Sequence, residues 1–368
     1  MFIRGENMKK KPTFKKIVVL GIIALLLTLS SQSVLGRNQR EDSETEYYAI
    51  IVACSKYKDW KNNIPKFPFP PFPEKKLKIF YEALLDTQNW KEENIILLLN
   101  DDATRQNIVD AFDVMATQVG PEDIFLFTWN GHGSIVDDDD GDEQLSDASD
   151  MYDEIICPYD CERDEDDELI NFIRDDELDA YLLNISCKGI CCIFESCHSG
   201  GLVDTESFSL QSADFRDVDG PNRVIITSTL PSTLGRASYL TASPILYAFS
   251  KAAGNPANDY DGDGNISIEE AFKAARPLIF LQNGLFWLGN WIYMYIYNLL
   301  DLYEVIPFKK PSTVERLFNK PALSATCSLI NSYVVTQLYA KLLSGAFMLN
   351  YPHMVDHYSG ELPLFITA

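Results

Sequence analysis

Ile124-Phe125-Leu126-Phe127-Thr128-Trp129 running into Asn130-Gly131-His132-Gly133-Ser134, and the run Gly189 to Glu195 followed by Ser196-Cys197-His198-Ser199-Gly200-Gly201, set the architecture of this chain. Each joins a short apolar run without alternation, the mark of a strand covered on both faces, to a polar turn rich in glycine. On either side, Tyr48 to Ala53, Asn94 to Leu99 and Arg223 to Thr229 read as further buried strands. Helical patterns fall between them, over Glu74 to Asp86 and over Arg105 to about Val119, the latter capped by Thr104. Buried strands separated by helical crossovers predict a mainly parallel sheet between helical layers, an α/β fold. Ligands in such sheets bind beyond the carboxyl ends of strands, where the two quoted turns lie.

A thiolate that attacks a carbonyl needs an imidazole to manage protons and backbone N–H groups to hold the oxyanion. The chain has four histidines. His353 and His357 lie in the last segment, and His198 adjoins Cys197 and points elsewhere if that turn is extended. His132 is left, at a neighbouring strand end between two glycines. Taken singly, a buried structural cysteine and a surface histidine explain these residues at least as well.

The two turns together, in this order, resemble the clan of caspases, legumains and metacaspases. The intervening Asp139-Asp140-Gly141-Asp142-Glu143, the run Tyr152 to Asp160 and Ile173-Arg174-Asp175-Asp176-Glu177-Leu178 are similar to metacaspases in order and wording. The resemblance covers Tyr48 to about Ser250. It implies a caspase-like α/β/α sandwich, Cys197 as nucleophile, His132 as its acid/base partner, and an oxyanion hole from the N–H groups of Gly133 and Cys197. It also implies an activating calcium held by Asp153, Asp175, Asp176 and Asp204, and a pocket for the substrate's P1 residue at Glu195, two before Cys197. Asp59 is the carboxylate on the loop after the first strand, and Ser228 is expected in the pocket wall. An acidic pocket favours Arg or Lys at P1; legumains also carry Glu at that place and prefer Asn. The functions in view are a calcium-dependent cysteine endopeptidase, a legumain-like asparaginyl endopeptidase or transpeptidase, and a catalytically silent calcium-stabilised binding module.

A second calcium site rests on spacing alone. In Asp259-Tyr260-Asp261-Gly262-Asp263-Gly264-Asn265-Ile266-Ser267-Ile268-Glu269-Glu270, oxygen ligands fall at Asp259, Asp261, Asp263, Ser267 and Glu270. Asn265 offers a carbonyl, Gly264 stands at the sharp turn, and Ile266 takes the core-facing place of an EF-hand-type loop. Gly254 and Pro256 break any entering helix, so the loop reads as half an EF-hand acting as a structural clip.

The bulk numbers bound the rest. Over 368 residues the net charge is -23, which disfavours nucleic acid as a partner and favours cations or basic peptides. Residues 1–36 pair a lysine-rich start with the apolar run Ile17 to Leu29, a signal peptide or N-terminal anchor that places the rest outside the cell or at its surface. A linker over 37–46 precedes the peptidase domain, 47–275. The segment 276–368 reads as an aromatic insertion, with 278–305 packed on the domain or resting at a membrane interface, and then a closing strand near Ser359 to Leu364. Eight cysteines are too few for a disulfide framework in a chain of this length, although Cys157 and Cys161 are spaced to pair. The expected partners are protein or peptide substrates, and the chain is expected to be a monomer.

Overall fold

The computed structural model describes residues 45–65, 69–137, 152–203, 218, 220–229, 242–279 and 352–366. The leader, the linker up to residue 44, the aromatic run beyond residue 279 and Asp204 therefore lie outside the described residues. β1 (Tyr47–Ala53) is buried at all seven positions. It pairs in parallel with β2 (Trp90–Leu99) on one side and β3 (Ile124–Asn130) on the other. β9 (Gly189–Glu195) adds to β3, and β10 (Arg223–Thr227) to β9, also in parallel. The antiparallel strand β12 (His353–Asp356) closes that edge, giving the order β12-β10-β9-β3-β1-β2.

The pleat sends successive residues to opposite faces, so each apolar run feeds two cores. Ala49, Ile51, Leu126, Ile193 and Ile226 face a cluster with Phe80 and Leu84 of helix α2 (Ile79–Leu85), Phe249 of α5 (Pro244–Ala252) and Ile268 to Ile279 of a helix over 268–279, α6. Ile50, Val52, Phe127 and Phe194 face Phe112 and Met115 of α3 (Arg105–Gln118) and Leu178 of α4 (Asp175–Leu183). Helices therefore cover both faces, the expected α/β/α sandwich. Fully burying one such Phe or Ile contributes about 1.5–3 kcal/mol.

Three elements differ from the sequence reading. The helix expected over 74–86 is divided at Lys78 into α1 (Glu74–Leu77) and α2. β2 begins four residues earlier than its apolar run, because Trp90 is buried and pairs with Tyr47 across a bulge, while the exposed Lys91, Glu92 and Glu93 between hide the strand pattern. The strand that closes the sheet is β12, not the stretch near 359–364. The latter leads into β13 (Pro363–Ile366), which pairs with β11 (Asn265–Ser267) instead.

A second sheet stands at the carboxyl end of β3. β4 (His132–Asp137), β5 (Tyr152–Cys157) and the two-residue β8 (Ile173–Arg174) pair antiparallel, with His132 opposite Cys157 and Gly133 opposite Ile156. A minor hairpin, β6 (Glu162–Arg163) with β7 (Leu169–Ile170), lies between β5 and β8 in the chain. Arg223, 2% exposed at the start of β10, donates to Asp179 Oδ1 of α4 and to the Val218 carbonyl, both at 2.5 Å. Among the described residues no helix is long and apolar enough to cross a membrane.

Candidate active site

β3 and β9 are neighbours in unbroken register, so Asn130 and Glu195 end side by side and the Gly131 N–H bonds to the Glu195 carbonyl at 3.3 Å. The two turns that leave these strand ends are thereby brought into contact. A Cβ at Gly133 would overlap the Cys197 carbonyl oxygen and lie 2.9 Å from Ser196 Oγ, so only glycine lets the strand of His132 press against the turn of Cys197. That turn is not extended: His198 has φ 59, and the Gly201 N–H bonds back to the His198 carbonyl at 3.0 Å. The left-handed backbone at a non-glycine residue, here in the tight turn beside the expected nucleophile, is conformational strain of the kind that clusters at functional sites.

The turn is braced from β10. Ser228 Oγ donates to the Ser196 carbonyl at 3.1 Å and Thr229 Oγ1 to the same carbonyl at 3.2 Å. The N–H groups of Ser228 and Thr229 in turn donate to Ser199 Oγ, at 3.0 and 3.2 Å. Ser228, expected in a pocket wall, is thus buried in this brace.

His132 Nε2 lies 2.7 Å from the Asn62 carbonyl oxygen. A carbonyl can only accept, so Nε2 carries the hydrogen and Nδ1 is left with the lone pair in the neutral ring. Asn62 ends the 3-10 turn Trp60–Asn62, whose first residue is fixed by Asp59 accepting from the Lys61 N–H at 3.0 Å. Asp59, expected to line a pocket, here caps the turn that orients the imidazole. Sequence reasoning missed Asn62, because a backbone carbonyl carries no residue signature.

Glu195 is 5% exposed and is held at the start of α5. Its carboxylate accepts from Ser243 Oγ and from the N–H groups of Ile245 and Leu246 at 3.0 and 3.3 Å. Burial pushes its pKa up to about 7, with those three donors pulling the other way. Among the described residues, then, the carboxylate expected to face a substrate serves as a helix N-cap.

The two expected calcium sites fare differently. Asp153 and Asp175 are 3% and 1% exposed at the junction of β5 and α4. Arg174 Nε donates to Asp153 Oδ2 at 2.5 Å, and Asp175 accepts from the N–H groups of Glu154 and Asp176 at 3.2 and 3.1 Å. Arg174 thus supplies a counter-charge beside Asp153, and Asp204, the fourth expected ligand, lies outside the described residues.

At the 259–270 turn, carboxylate oxygens of Asp259, Asp261 and Asp263 lie within 4.8 Å of one another, the one such group of three among the described residues. Asp259 accepts from the N–H groups of Gly262 and Gly264 at 2.7 and 3.0 Å, and Gly264 has φ 92, a conformation open to glycine. Glu270, 5% exposed, accepts from the N–H groups of Tyr260, Asp261 and Ser267. Ile266 is fully buried, while Asn265 and Ser267 lie on β11. α5 stops at Ala252, short of the turn as Gly254 and Pro256 predict. Three hard, exposed carboxylates converging on a glycine turn fit a calcium ion.

Cys157, Cys161, Cys191 and Cys192 are packed in the interior. Cys191 and Cys192 are fully buried, and burial pushes the Cys192 thiol up to about 12. Cys157 and Cys161 are buried together as free thiols, not as a disulfide.

Buried parallel strands that deliver a cysteine and a histidine to one sheet end define an α/β protein with the layout of a thiol peptidase. Residues 77–206 match the family profile of the metacaspase, peptidase C14 domain. That segment is similar in sequence to fungal metacaspase-1. Metacaspase-1 of Candida albicans is 32% identical over 131 residues, 33% of this chain and 28% of the relative's length. Metacaspase-1 of Schizosaccharomyces pombe is 31% identical over 132 residues, with the same coverage. The chain thus spans under a third of the length of these relatives. Among solved structures, caspase-1 from Spodoptera frugiperda aligns over 90% of this chain and 95% of its own, with a TM-score of 0.43 and 10% identity.

Proposed function

We propose that the chain is a calcium-stabilised cysteine endopeptidase that cleaves peptide bonds through Cys197 and His132. The observation that carries this reading is the packing of Gly133 against the Cys197 carbonyl, which sets the histidine strand and the cysteine turn together at the ends of two adjacent parallel strands. His132 Nδ1 takes the Cys197 thiol proton, the thiolate attacks the scissile carbonyl, the imidazolium gives that proton to the leaving amine, and water, deprotonated by His132, releases the acyl group from the thioester and restores the thiol. The N–H groups of Gly133 and Cys197 hold the oxyanion. Asp259, Asp261 and Asp263, with Asn265, Ser267 and Glu270 completing the turn, would hold calcium, which would neutralise their charge there. The protein acts on protein or peptide substrates as a monomer, outside the cell or at its surface.

For P1 we favour Arg or Lys, taken by the acceptor positions that the capping bonds leave open on the Glu195 and Asp59 carboxylates. One observation favours Asn as a second reading: a carboxyl with its pKa at about 7 is partly protonated at neutral pH and suits an amide partner. Matched peptides differing only at P1, in excess calcium, test both. Cleavage of the Arg or Lys peptide that rises with pH through 7 and vanishes in Cys197→Ala is expected. Faster turnover of Asn, level across pH 7, would move the chain to an asparaginyl specificity, and full activity in Cys197→Ala would overturn the peptidase assignment.

A further inference from the structure

The loop between β1 and α1 carries a residue with no part in the chemistry assigned to Cys197 and His132. Tyr57 is 3% exposed and lies beside His132. Its hydroxyl oxygen accepts the His132 backbone N–H at 2.7 Å, and its ring lies over the imidazole with centroids 4.8 Å apart and planes tilted by 37°. A Cβ at Gly131 would lie 2.9 Å from that hydroxyl, so the glycine before His132 is what lets the tyrosine in. The Cys54 thiol, whose S–H lies 3.1 Å from the Lys56 carbonyl oxygen, is buried in the same cluster as Tyr57.

The loop itself is stapled in place. Asn100 Oδ1 accepts from the N–H groups of Ser55 and Lys56 at 3.1 and 3.0 Å, and Asn63 Oδ1 from the Tyr57 N–H at 2.7 Å. The Ile64 N–H closes it on the Ser55 carbonyl at 2.7 Å. One rigid loop therefore grips His132 twice, the backbone through Tyr57 and the ring through Asn62. Burial holds the Tyr57 hydroxyl well above its usual pKa, so it stays neutral across the working range.

We propose that Tyr57 is a positioning residue for His132, fixing where the histidine leaves the sheet and which way its ring faces. This rests on the reading of His132 as the acid/base group. A tyrosine that only filled the core would be replaceable by phenylalanine, which keeps the ring and the packing. Here Tyr57→Phe removes the acceptor of the His132 N–H, and a displacement of about 1 Å at a reacting group can cost on the order of 100-fold.

The test is steady-state kinetics of Tyr57→Phe and His132→Ala across pH, with Tm measured alongside. Tyr57→Phe is expected to lower kcat about tenfold with KM within about twofold, to shift the limb of the kcat/KM profile that His132 sets, and to leave Tm within a few degrees. Wild-type kcat and an unmoved pH profile would overturn the proposal. If Tyr57→Phe does not fold, Asn63→Ala removes the acceptor of the Tyr57 N–H and should give a smaller drop in kcat with the same pH shift; no change in either is equally fatal. An active His132→Ala would sink the dyad reading itself, whereas an inactive His132→Ala beside a wild-type-like Tyr57→Phe would sink this inference alone.

Discussion

The proposed active end of the sheet and the acidic turn at 259–270 both consist of glycines and short polar side chains, yet they are fastened over different ranges of chain. His132 is held by Tyr57 and Asn62, 75 and 70 residues away in sequence. The turn is held by its own members, the bonds accepted by Asp259 and Glu270 each spanning ten residues or fewer. A site assembled from distant segments exists only when the whole sheet does, whereas a locally closed turn forms with little loop-closure cost. The first suits chemistry that must be switched on by folding; the second suits a clip.

Changing His132 strikes the long-range site hardest. His132→Ala should lower kcat/KM by about 100- to 10,000-fold, the usual worth of general acid–base help, while Tm stays within a few degrees. A loss below tenfold would point to His198 instead, and a collapse in Tm would mean that the histidine holds the fold and not the reaction.

The acidic turn should behave in the opposite way. Calcium at a hundred times its dissociation constant contributes about 2.7 kcal/mol, about 5–10 °C in Tm for a domain of this size. Asp261→Ala and Glu270→Ala should each abolish that rise, and activity measured well below Tm should change little. Thermal melts with calcium and with chelator check this. Chelation that removes activity far below Tm would bring back the activating site at Asp153, Asp175, Asp176 and Asp204, and Asp175→Ala would then cost activity but not stability.

The smallest effect expected is in pH dependence. Burial raises Glu195 and Glu269 from 4.5 to about 7 in the folded chain. Protons are then bound more tightly by the folded state, so the stability these groups contribute is fully present below pH 4.5 and is lost as pH rises through 7. Tm should fall by a few degrees over that window. Glu269→Gln, which keeps an acceptor for the Leu362 N–H, should flatten part of the fall without touching the kinetics. Glu195→Gln should flatten the rest and also alter P1 choice; no change in either slope would mean that both carboxylates are ionised throughout.

Legibility in the sequence divides in the same way. The turn is readable almost entirely, since Asp, Gly and Glu at fixed spacings are themselves the structure there. The strands are readable because an unbroken apolar run fed to two cores leaves no other solution; β2 is cut short where three exposed charged residues come after Trp90, and β12 escapes because its exposed and half-buried residues show no pattern. The dyad is visible as two separate motifs. What holds it is not, because the Asn62 carbonyl and the His132 N–H are backbone atoms that any residue would supply. The roles of Glu195 and Arg174 are equally hidden: a carboxylate two residues from a nucleophile looks like a specificity group until Ser243, Ile245 and Leu246 are seen to share it, and an arginine in an acidic run looks incidental until it meets Asp153.

The pairing of β13 with β11 bears on the order of biosynthesis. The Leu364 carbonyl accepts from Asn89 Nδ2 and Trp90 Nε1, each at 2.9 Å, and the Ile366 N–H reaches Asn89 Oδ1 at 3.1 Å, 277 residues away. Residues near the start of β2 thus wait, during translation, for partners that leave the ribosome 277 codons later, and β10 likewise waits for β12 before its edge is covered. At 5–20 residues per second that is a wait of roughly 15 to 60 seconds. Until β12 pairs with β10, the nascent sheet offers an unpaired edge, the kind of surface that chaperones shield and that other chains can add to.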